Sequence, residues 1–289
     1  MKKKERVNGA SADNAPSCCD VSIAALLAQQ EIETSVLADG FLDLSYKNIT
    51  DLTGLHLIDG LDRVRELNLS GNFFARLPAG IFDPFIQLKV LGLTNCQLTT
   101  IDESLFSNLT QLEQLYLDGN HLKRLAAQTF ASLKNLEILW IDYNELQELP
   151  ESLFAGLSRL EMLWLDANQL TTLSPNSFAD LSRLELLGLG RNQFASLPPN
   201  LFASLANLSA LWLDGNHLHE LSAQTLAGLR QLENLDLSNN ELDTVPASLA
   251  HIATLQELDL RNNPLRSIEA KVYGGNDLQN LLATLAAKK

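Results

Sequence analysis

Residues 136–159 read LEILWIDYNELQELPESLFAGLSR, and their spacing of apolar residues returns 24 residues earlier and 24 later. The string LxxLxLxxNxL, with an aliphatic residue sometimes standing for a leucine, starts at Val64, Leu88, Leu112, Leu136, Leu160, Leu184, Leu208 and Leu232. It starts again at Leu255, after 23 residues, and a worn copy, Leu42-Asp43-Leu44 through Ile49, precedes the series. Self-similarity at a fixed period of this size marks a solenoid, in which no unit buries its apolar face alone and each leans on its neighbours.

The chemistry of one copy is legible residue by residue. Leu139 and Ile141 flank Trp140 at period two, which predicts a short strand with one buried face. Asn144, like Asn72, Asn120, Asn168, Asn192, Asn216, Asn240 and Asn263, stands where the strand must bend. There its amide can satisfy backbone groups that would otherwise be buried without partners. Cys96 takes that place in one copy, where a buried structural thiol is expected. Phe82, Phe106, Phe130, Phe154, Phe178 and Phe202 recur every 24 residues and Leu226 ends the series, which predicts an aromatic spine inside the coil.

These residues resemble the leucine-rich-repeat family in its 24-residue class, with consensus LxxLxLxxNxLxxLPxxxFxxLxx, from about Phe41 to Leu265. The resemblance implies an α/β solenoid: a curved right-handed superhelix with a parallel sheet on its concave face. Irregular, 3-10 or short helical segments are expected on the convex face. The expected division is a disordered tail at 1–19, an N-terminal helical cap and degenerate repeat at 20–60, repeats at 61–266, and a C-terminal helical cap at 267–289. In the last of these Leu278, Leu281, Leu282 and Leu285 form one apolar stripe after a cap at Asn276 or Asp277, with Lys288 and Lys289 at the carboxyl end. Asp20 is the expected cap of a short first helix carrying Ile23, Leu26 and Leu27.

A net charge of −14 argues against nucleic acid and against anionic membranes, and no stretch is long and apolar enough for a membrane span. The basic start, MKKKERVNGA, is followed by no apolar segment, so a secretory signal is not expected in the chain as given. Secreted members of this repeat class usually carry cysteine-rich caps. Cys18, Cys19 and Cys96 are too few for such a framework, which points to the cytoplasm, with a secreted effector as the alternative. Cys18 and Cys19 are read as free thiols ahead of a vicinal or intermolecular disulfide.

The search for chemistry returns little. No phosphate loop, nucleophile elbow or nucleophile–base pair is present, so neither an enzyme nor a cofactor is expected. His217-x-His219 has the only metal-like histidine spacing, and polar loop residues are the simpler reading. The sequons at Asn48, Asn68, Asn108 and Asn207 arise from the repeat pattern itself.

What the sequence does offer is the face opposite the core. There the pattern places Tyr116, Trp140, Trp164 and Trp212 in one column, Ile138, Met162 and Leu186 beside them, and Asp118, Asp142, Asp166 and Asp214 on the other side. All are expected to point outward, with Gly188 and Gly190 leaving a notch between Trp164 and Trp212. An exposed apolar patch with aromatic anchors marks an interface, and the column spans about 19 Å at the usual strand spacing. The expected activity is binding, by a monomer, of a protein or peptide with basic and apolar groups. A glycan stacked on the tryptophans, calcium on the aspartates, an effector or adaptor scaffold and a plain spacer are the alternatives.

Overall fold

A computed structural model describes residues 21–29 and 40–287. The expectations for residues 1–19, Asp20, Lys288 and Lys289 lie outside the described residues. Eleven three-residue strands form one sheet in chain order. They are β1 Phe41–Asp43, β2 Glu66–Asn68, β3 Val90–Gly92, β4 Gln114–Tyr116, β5 Ile138–Trp140, β6 Met162–Trp164, β7 Leu186–Gly188, β8 Ala210–Trp212, β9 Asn234–Asp236, β10 Glu257–Asp259 and β11 Val272–Gly274. The first ten pair in parallel, so repeat positions align across the stack: Ile138 with Met162, Leu139 with Leu163, Trp140 with Trp164. The worn copy is therefore a true first rung, β1, paired with β2.

Between strands the chain turns over a core of leucines, and the six phenylalanines stack as predicted. Successive ring centroids lie 6.2–6.5 Å apart in nearly parallel planes. Strands pair at about 4.8 Å. The spine side is thus longer per repeat than the sheet side, which makes the sheet face concave.

The asparagine column does what its position implies. Asn144 Nδ2 donates to the carbonyls of Leu117, Ile141 and Asp142, and its Oδ1 accepts the Leu122 N–H at 3.1 Å. Two of these partners belong to the preceding repeat, so each asparagine is a rivet between coils. Cys96 keeps one such bond, its thiol donating to the Leu69 carbonyl at 3.2 Å. Burial pushes this thiol up to about 12. Labelling of Cys96 by iodoacetamide at pH 8 is accordingly expected only after denaturation, since the thiolate is the reactive form; labelling of the native protein would show that this repeat opens.

The ends depart from expectation in detail. The short first helix, α1 (Ile23–Ala28), is capped by Ser22, whose Oγ accepts the Ala25 N–H at 3.1 Å. Ser22 and not Asp20 therefore occupies the N-cap position. At the other end β11 runs antiparallel to β10 and passes directly into α2 (Gly275–Ala286). The helix consequently begins ahead of Asn276 and Asp277: Gly274 is its N-cap, and no side chain caps it. Asp277 instead meets Lys271 Nζ at 3.1 Å. The leucine stripe is as predicted, with Leu278, Leu281, Leu282 and Leu285 all buried. α2 packs against the 3-10 turn Ala247–His251 of the last coil. Deleting residues 276–289 is expected to uncover that surface and to shift the protein toward aggregates in size-exclusion chromatography. An unchanged, monodisperse profile would show that α2 does not serve as a cap.

Among the described residues, no helix is long and apolar enough to cross a membrane.

Candidate partner-binding face

Strand alternation puts positions three, five and seven of each repeat off the core, and the structure keeps them together on the concave face. It does not leave them all open. Trp212 is 8% exposed and Leu186 9%, while Asp118, Asp142 and Asp166 are buried as well. Tyr116, Ile138, Trp140, Met162, Trp164 and Asp214 are partly exposed. The outward reading of Trp212, Leu186 and the three aspartates is thus corrected. Large side chains on strands this closely spaced cover one another, so facing away from the core does not amount to facing solvent.

The notch is corrected for the same reason. Trp164 and Trp212 are two strands apart, yet their ring centroids stand 4.8 Å from each other. They lean together over Gly188, whose missing side chain makes the room. A Cβ there would collide with the Trp164 ring and the Asp166 carboxylate. Leu186, Ala210 and Trp212, with Met162 and Trp164 packed on them, form a second apolar cluster on this face. At its edge Tyr116 and Trp140 meet edge to face at 5.0 Å. Gly188→Ala is expected to part the indoles and cost about 1–3 kcal/mol of stability. A shift in native tryptophan emission together with a lower Tm would register it, and an unmoved spectrum would sink the arrangement.

The three tryptophans therefore divide. Trp212→Ala is expected to cost about 3 kcal/mol, as for a large core residue, and Trp140→Ala about 1 kcal/mol. Equal losses in denaturant titrations would refute the division.

The acidic column is a hydrogen-bonded element of the face. Asp118 Oδ1 accepts from Thr94 Oγ1 at 2.8 Å, and Asp166 Oδ1 from the Gly190 N–H at 3.0 Å. Asp214 Oδ2 lies 3.9 Å from Arg191 Nε. Further along, burial holds the Asp236 carboxyl above the usual range, and the like charges of Asp214 and Asp259 add to the effect. Among the described residues, no group of three or more His, Cys, Asp or Glu is arranged to hold a metal ion. His217 and His219 face Glu241 at 2.9 and 3.4 Å. Two sequon amides are already engaged: Asn108 Nδ2 donates to Asp83 and Asn207 Nδ2 to the Ser182 carbonyl.

A further row stands beside this face. The residue just ahead of each strand reads Glu113, Glu137, Glu161 and Glu185 in four consecutive repeats. Each backbone N–H of the later three donates to the carbonyl of the glutamate before it, at 2.8 Å, so the four form one straight row at the sheet margin beside Gln114, Ile138, Met162 and Leu186. The signal lay in the second letter of each repeat, at the same period of 24.

With this geometry the comparisons agree. A leucine-rich-repeat family model matches in six overlapping stretches, 62–122, 86–146, 110–170, 134–194, 164–218 and 206–265, and a second model described as Leucine Rich Repeat matches 254–280. Among curated proteins none matches the chain. A solved structure described as "Crystal structure of TLR13-ssRNA13 complex" aligns with a TM-score of 0.69 at 31% identity, covering 78% of this chain and 33% of that one. This chain thus spans about a third of that protein's length. Because that complex includes ssRNA13, the fold gives no ground for setting nucleic acid aside, and the sequence argument against it rests on charge alone. Proteins of this repeat type are in general non-enzymatic scaffolds and interaction modules. The matched segments run unbroken over well over half of the sequence, and on that ground the chain belongs to the leucine-rich-repeat family.

Proposed function

We propose that the concave face binds a protein or peptide partner through Tyr116, Ile138, Trp140, Met162 and Trp164. Buried Trp212 and Leu186 brace Met162 and Trp164 from the side, and Asp118, Asp142, Asp166 and Asp214 give the face its negative margin. The observation that carries the reading is the contiguous band of partly exposed aromatic and aliphatic side chains on β4–β6. Such bands mark interfaces, and aromatic anchors carry most of their energy. The aliphatic neighbours favour a protein over a glycan, and the carboxylates disfavour phosphate. The same reading takes the chain as a monomer working in the cytoplasm, without cofactor or catalysis.

Affinity capture with the wild type and with Trp140→Ala/Met162→Ala tests it. A partner retained by the first is expected to bind the second at least thirty-fold more weakly, at about 2 kcal/mol for a hot-spot pair. Equal retention by a variant that melts normally would place binding elsewhere.

A further inference from the structure

Resting on that reading, we infer that the partner presents an amphipathic α-helix, laid across the strands, with lysines or arginines along one flank of its apolar stripe.

The charge pattern selects the flank. Glu113, Glu137, Glu161 and Glu185 line the margin of the apolar band, with Lys89 held to Glu113 at 2.6 Å. No cation among the described residues lies within ion-pair distance of Glu137, Glu161 or Glu185. In the two preceding repeats the same row is basic, Arg65 and Lys89, and in the repeat after Glu185 it is Ser209. The four consecutive glutamates therefore run past Tyr116, Trp140 and Trp164, and Ser209 separates them from Glu233 in the repeat that follows. A partner with apolar groups alone would bury this margin without neutralising it. One with cations beside its apolar stripe meets both rows at once.

The spacing selects the helix. Four rungs at about 4.8 Å place Glu113 and Glu185 roughly 14 Å apart. A helix offers one flank at i, i+3, i+7 and i+10, which at about 1.5 Å per residue spans roughly 15 Å. An extended chain offers its same-face residues at i, i+2, i+4 and i+6, spanning roughly 20 Å. Only the helix keeps its cations in step with the row, in which Glu113 is already held by Lys89 and Glu137, Glu161 and Glu185 are left for the partner. Concave curvature shortens the distance between side-chain tips and widens the difference. The apolar stripe of such a helix then covers Ile138, Met162, Trp140 and Trp164, since the aliphatic row stands one residue from the glutamates and the aromatic row three.

All three tryptophans of the protein sit on this face, so intrinsic fluorescence reports on it directly. The probe is a tryptophan-free synthetic helix of about twenty residues, long enough to be helical in water, with leucines in one stripe and lysines at i, i+3, i+7 and i+10 on its flank. Controls are the same composition interrupted by two prolines, and the helix with glutamates in place of the lysines. Saturable shift of tryptophan emission by the lysine helix is expected, weakened by salt, with at least tenfold weaker response to both controls. The triple variant Glu137→Gln/Glu161→Gln/Glu185→Gln, which leaves the apolar band intact, is expected to bind the lysine helix about tenfold more weakly, at a few tenths to one kcal/mol per surface pair. Equal binding of the proline peptide, or unchanged binding by the triple variant, overturns the helix inference while leaving the concave face as a binding surface. Emission that no peptide moves overturns the concave-face reading as well.

Discussion

Phe130→Ala is expected to lower the free energy of unfolding by about 3–5 kcal/mol, as for a phenylalanine removed from a close-packed core. The ring is fully buried between Phe106 at 6.3 Å and Phe154 at 6.5 Å. Its neighbours are held at those spacings by the strands and asparagines of their own coils, so they have little freedom to fill the space. Each repeat interface carries one such contact, and the loss breaks two of them. A urea titration followed by circular dichroism measures the effect. A loss below about 1 kcal/mol would mean that the convex side relaxes into the cavity and that the spine is not a rigid column.

Asn144→Ala is the second large effect, at about 3 kcal/mol or more. The side chain serves the carbonyls of Leu117, Ile141 and Asp142 and the N–H of Leu122, and a buried backbone group left without a partner costs about 1–3 kcal/mol. Asn144→Asp discriminates between lost bonds and lost volume. A carboxylate of the same shape can still accept from Leu122 but turns an oxygen toward the carbonyls the amide had bonded. It is expected to destabilise at neutral pH at least as much as alanine does. If Asn144→Asp is tolerated, the riveting role is wrong and the column merely fills space.

The two residues also show which parts of the molecule are legible in its sequence. Phe130 and Asn144 follow from local rules repeated from coil to coil, so the coil, the spine and the rivets can all be read from spacing. The concave face cannot be read that way. Whether Trp212 is exposed depends on Trp164 two repeats earlier and on the absence of a side chain at Gly188 between them. Alternation reports the side of the strand and is silent on the size of what stands next door. Leu186 and the aspartates are covered for the same reason. The start of the first helix is a related case: Ser22 and Asp20 are both good cap types in the sequence, and it is the Ser22 hydroxyl that meets the Ala25 N–H. Nothing in Val272-Tyr273-Gly274 distinguishes a reversed strand from a loop until β10 is present to pair with it.

That reversed strand sets a direction on the whole object. A parallel ladder is a one-way street: the free margin of β10 would accept any strand running the same way, including the first rung of a second molecule. Head-to-tail addition of that kind, unclosed by rotation, builds filaments. β11 occupies the margin with the opposite polarity and hands the chain at once to a helix, so a newcomer finds neither matching direction nor length. Lys271, beside the strand, adds a charge of the sort that discourages edge pairing. Coils could be inserted or removed between β5 and β6 without touching this arrangement, which makes the interior of the stack the tolerant place for lengthening the molecule and its last rung the intolerant one.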